Sequence, residues 1–82
     1  MALKLDGVIE RFPEREELIR ELSGTNPEFE ALCHRYDRVT EELQGLEQTV
    51  DVERDARANE LERRRAALVD ELHALMSANM RA

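Results

Sequence analysis

With 82 residues the chain has room for one domain and a thin core, because a short chain buries a smaller share of its surface than a long one. Charged residues make up 38% of it and aromatic residues 4%, with three Gly and two Pro, a composition suited to long helices and poor for a sheet. The net charge of −7, from 12 basic and 19 acidic residues, argues against a surface that as a whole binds nucleic acid or an anionic membrane.

Residues 1–11 are expected as a loose N-terminal arm, since MALKLDG shows no apolar period and ends in the turn dipeptide Asp6-Gly7. Residues 12–82 read as a single helical-hairpin domain. Its leading helix is expected over roughly 13–22: Pro13 fits the first turn, where Glu14, Glu16 and Glu17 meet the positive end of the helix dipole. Ser23-Gly24 is expected to end that helix, with Gly24 in the left-handed conformation. A second helix follows over 27–50. Thr25 or Asn26 can cap it, Pro27 opens it, and Thr25 and Glu28 have capping-box spacing.

From there Phe29, Leu32, Tyr36, Val39, Leu43, Leu46 and Val50 alternate steps of three and four, a narrow seam that needs a facing helix. The polar stretch 51–55 interrupts the pattern. A third helix over 54–78 then resumes it through Ala58, Leu61, Arg65, Leu68, Leu72 and Leu75, with Asn79 at a terminal position expected to fray. Two matched seams joined by a short link predict an all-α fold: an antiparallel, two-long-helix coiled-coil hairpin with a short leading helix.

Val69 and Met76 sit one step beyond Leu68 and Leu75 and widen the second seam, so two helices cannot cover it all. Either the leading helix folds onto that stripe through Leu18, Ile19 and Leu22, or a second copy does. The expectation is self-association as a dimer or tetramer with the leading helix contributing, another protein being the alternative occupant. Arg65 occupies a seam position where a charge calls for a carboxylate. Glu42 or Glu47 on the facing helix is the expected partner, and the pair would set register.

These residues resemble the small bacterial YdcH-like family, a helical-hairpin domain of unknown function. The resemblance covers roughly residues 12 to 76 and is carried by Phe12-Pro13 with Leu18-Ile19 and Leu22, by Phe29, Leu32, Tyr36 and Asp37, and by LERRRAALVDEL, where Arg65, Leu68 and Asp70 match. The family's usual lysines on the last helix are replaced here by Glu62, Arg63 and Val69. The resemblance implies a hairpin of two long helices, often with a short leading helix, and no assigned activity.

Nothing in the sequence has the spacing of a catalytic or metal-binding motif, so no enzyme activity and no cofactor is expected. Cys33 and His34 point about 100° apart on a helix and cannot share one metal, and Cys33 reads as a small packing residue. The lone Cys33 cannot form an internal disulfide, no apolar signal region follows Met1, and no apolar run approaches the roughly 18 residues that span a bilayer. The expected setting is cytoplasmic, with no membrane partner. Arg54, Arg57, Arg63, Arg64 and Arg65 stand against Asp55, Glu60 and Glu62, and three consecutive arginines spread over about 200° of helix surface rather than forming one patch. The functional expectation is therefore a self-associating structural or protein-interaction module. The alternative is a nucleic-acid-associated regulator using the Arg54–Arg65 stretch.

Overall fold

The computed structural model describes residues 5–48 and 52–79. They form four α-helices: α1 (Asp6–Arg11), α2 (Glu16–Thr25) after a 3-10 turn over Pro13–Arg15, α3 (Pro27–Glu47) and α4 (Arg54–Ala78). Among the described residues there is no strand. Val50 of the first seam and the outermost part of the N-terminal arm lie outside the described residues. The two long helices pack along each other, while α1 and α2 pack mainly on α3. The radius of gyration is 14.0 Å. A globular chain of this length would have about 12 Å, so the molecule is elongated along its long helices.

The start of the chain departs from expectation. Residues 6–11, expected within a loose arm, form helix α1, with the Ile9 amide donating to the Leu5 carbonyl at 2.9 Å and the Phe12 amide to the Val8 carbonyl at 3.0 Å. Six residues are too few to hold a helix alone, and burial supplies what propensity lacks: Val8 is 1% exposed, and Leu5 and Ile9 pack on the core. Pro13 does not open the next α-helix directly. It forces Phe12 out of helical geometry, at φ −130° and ψ 64°, and starts the 3-10 turn that leads into α2.

Helix α2 also runs past its expected end. Gly24 has no positive φ and lies inside the helix, which continues to Thr25. The break falls at Asn26, which the following Pro27 holds extended at φ −122°, ψ 104°. Asn26 then caps α3, its side-chain oxygen accepting from the Glu28 and Phe29 amides at 3.0 and 3.2 Å. Thr25 takes no part in a capping box, because its hydroxyl donates back to the Glu21 carbonyl at 2.9 Å. Asn26 therefore both ends α2 and caps α3, and the two helices meet at a single-residue joint.

The core is one cluster that draws on every helix. Val8 and Phe12 come from the start of the chain, Ile19 and Leu22 from α2, Phe29, Leu32, Cys33, Tyr36 and Val39 from α3, and Leu61, Leu68, Leu72 and Met76 from α4. Among the described residues no charged or polar side chain is buried in it.

Candidate interaction surface

The stripe expected to need a partner packs into one core with residues from the 5–25 segment of the same chain. Ile19 and Met76 are completely buried, Leu22 is buried, and Leu18 and Val69 are half-buried against the core. The Phe12 ring centroid lies 6.4 Å from that of the His73 ring of α4 and 5.3 Å from the guanidinium carbon of Arg11. Arg11 also lines a groove with Tyr36, Arg65 and Val69, and a Cβ at Gly7 would lie 3.4 Å from Cε1 of Tyr36. Of the two occupants considered for the stripe, the N-terminal segment fills the place within one chain. It does so with α1 as well as α2, which the sequence pattern did not foresee. The one large apolar side chain left fully exposed among the described residues is Val52, between α3 and α4.

The expected register pair takes another form. Glu42 meets Arg57 at 3.5 Å, both side chains being about half exposed, and Arg65 forms no ion pair among the described residues. Arg65 and Glu47 do line the same groove, together with Thr40, Leu43, Leu46, Ala58 and Glu62. Arg57 reaches Glu42 because it stands on the solvent side of the seam, where a long charged side chain keeps its head in water. An exposed pair of this kind contributes up to about 1 kcal/mol.

The arginine-rich stretch is divided. Arg54 pairs with Asp55 at 3.7 Å, Arg57 with Glu42, and Arg64 with Glu60 one turn back. Arg64 lines the groove with Arg35 and Arg38, while its neighbour Arg65 lines the grooves with Arg11 and with Glu47. The residues that would have to act together on a phosphate backbone thus face different ways, and three of them already have carboxylates.

Cys33 is fully buried, and desolvation, helped by the nearby Glu30 charge, pushes its thiol up from 9.0 to about 12. A thiol held neutral in this way is a packing group rather than a nucleophile. His34 is exposed, and His73 stands beside Phe12. Among the described residues no three His, Cys, Asp or Glu side chains gather where they could hold a metal. No helix of the described chain is long and apolar enough to cross a membrane.

What the sequence reading missed is the other side of the long helices. Two adjoining open grooves run between α3 and α4. Glu28, Ala31, Leu32 and Arg35 face Glu71, Ala74 and Leu75 in the first, and Arg35, Arg38, Val39 and Glu42 face Arg64, Ala67, Leu68 and Glu71 in the second. Ala31, Ala67 and Ala74 are exposed on this face. The spacing of Ala67 and Ala74, seven residues apart and one step before Leu68 and Leu75, was the available signal. Comparison of the chain with protein families, curated proteins and solved structures returns no match.

Proposed function

We propose that the protein is a structural or protein-interaction module without catalytic activity, whose two long helices run antiparallel as a coiled-coil hairpin and bind a protein partner along the face between them. The antiparallel reading is supported by which residues share a groove. Leu43 to Glu47 lie with Arg54 to Arg65, and Glu28 to Arg35 lie with Glu71 to Leu75, so positions advance along α3 as they retreat along α4. The proposal includes kinship with the YdcH-like hairpins, which rests on the residues alone, and a cytoplasmic setting, which suits a buried free thiol.

The observation that carries the binding role is the asymmetry of the hairpin. One side is sealed by α1 and α2, with Met76 and Ile19 fully buried. Among the described residues nothing lies over the other side, where exposed alanines stand next to the seam between flanking charged residues. Small side chains let another helix approach closely, and the apolar residues beneath them would gain contacts from it. A photo-crosslinking amino acid placed at Ala67, in cells that make the protein naturally, tests this. Covalent adducts are expected at Ala67 and not at Glu21 on exposed α2, and a chain that crosslinks to nothing at Ala67 refutes the interaction module.

A further inference from the structure

We infer that the occupant of this face is a second copy of the chain, docked about a two-fold axis that runs along the groove between α3 and α4. The inference deepens the preceding proposal and rests on its antiparallel reading. Around the groove stand three acids, Glu28, Glu42 and Glu71, and three bases, Arg35, Arg38 and Arg64. The chain as a whole carries −7, so this face is locally neutral and the excess acid lies elsewhere. Two copies that repel over most of their surface can meet here without that penalty.

The arrangement of signs is more specific than the balance. Arg35 on α3 and Glu71 on α4 line both grooves, opposite each other. Seven residues further along α3 stands Glu42, and seven residues back along α4 stands Arg64, again opposite in sign and on the same groove. A two-fold axis along the groove lays α3 of one copy against α4 of the other with both hairpins pointing the same way. It brings Arg35 to the other copy's Glu71 and Glu42 to its Arg64, each pair twice, as an isologous interface requires. Arg35 and Glu71 have no ion-pair partner among the described residues, while Glu42 and Arg64 hold only the half-exposed Arg57 and Glu60, pairs weak enough to be exchanged for contacts to the second copy. The exposed Ala31, Ala67 and Ala74 let the four helices close at short range.

The face runs from Glu28 to Glu42, about 21 Å at 1.5 Å per residue, and is two helices or roughly 20 Å wide. That footprint, about 400 Å² on each copy, lies below the range of stable complexes and fits a weak, transient dimer that dissociates on the order of 100 µM. Sedimentation equilibrium of the full chain over a range of about 10 µM to 1 mM is the test, with helicity checked by circular dichroism. The mass is expected to climb from 9.5 kDa toward twice that value, and added salt is expected to weaken the association. Arg35→Glu should weaken it at least tenfold, the reversal of both partners, Arg35→Glu with Glu71→Arg, should restore it, and Arg63→Glu, outside the grooves, should leave it unchanged. A parent chain that stays at 9.5 kDa throughout, a dimer indifferent to Arg35→Glu, or a double reversal as weak as the single one overturns the second copy. If the purified chain is monomeric while Ala67 crosslinks to a different protein in cells, the two-fold dimer fails and the interaction module stands. A monomer with no adduct removes both.

Discussion

Val8→Ala separates a packed first helix from a loose arm. Val8 is 1% exposed, so the substitution removes two methyl groups from the interior, at about 0.8 kcal/mol each from transfer alone. The void adds to this, though less than in a central site because α1 is short and can settle inward. The sum is about 2 kcal/mol. For a domain of this size each kcal/mol moves the melting temperature by roughly 4–8 °C, so the midpoint should fall by about 8–16 °C. The assay is thermal and urea unfolding followed by far-ultraviolet circular dichroism at one fixed protein concentration, since any dimer would make stability depend on concentration. The exposed Glu10→Ala serves as control and should stay within about 0.5 kcal/mol of the parent. If Val8→Ala unfolds no more easily than Glu10→Ala, α1 contributes nothing to the core and the account of the covered stripe is wrong.

Three further outcomes test individual features. Gly24→Ala should stabilise the chain by about 0.5–1 kcal/mol, because Gly24 is helical and a Cβ there meets nothing within 4 Å; a loss measured by urea unfolding would restore the left-handed cap. Asn26→Ala should cost about 0.5–2 kcal/mol in the same experiment, through the two amides it leaves uncapped, whereas Thr25→Ala should cost less because its hydroxyl bonds only within α2. Cys33 should resist iodoacetamide in the folded chain and react promptly in urea. Its folded thiol stays protonated to about 12 while the unfolded one ionises from 9.0, so its contribution to stability is intact below pH 9 and is lost as pH rises from there toward 12. Fast labelling of the native protein at pH 8 would show that the thiol is not buried.

The long helices were legible because their apolar residues repeat at helical spacing over many turns, and Arg54–Ala78 appears with the bounds the resumed seam suggests. The first helix was not legible. Asp6-Gly7 looks like a turn in any local reading, and only the burial of Val8 and Phe12 against distant parts of the chain makes the segment helical. Gly24 misled for a related reason: glycine is a frequent helix end, but a stronger stop, Asn26 before Pro27, lay two residues further on. The stripe at Val69 and Met76 was expected to meet a second copy with the leading helix contributing; Met76 shares one core with Ile19 and Leu22 of α2, and Val69 and Leu18 pack against it. The uncovered alanine face was hidden because alanine is as common on an outer helix surface as beneath a neighbour, so a search for large apolar residues passes over it.

The one-residue joint at Asn26 bears on how the chain acquires its shape. Neighbouring helices that are joined by so little chain lose little entropy on meeting, and local encounters of this kind put the protein among fast folders, on the microsecond-to-millisecond scale. The closure of α1 onto α3 and α4 is different, because Phe12 must find His73 from sixty-one positions away. In the order of events that follows, the two long helices and α2 associate early, and α1 with Phe12 locks the assembly last. Substitutions in α1 would then leave the folding rate almost untouched and act by hastening unfolding.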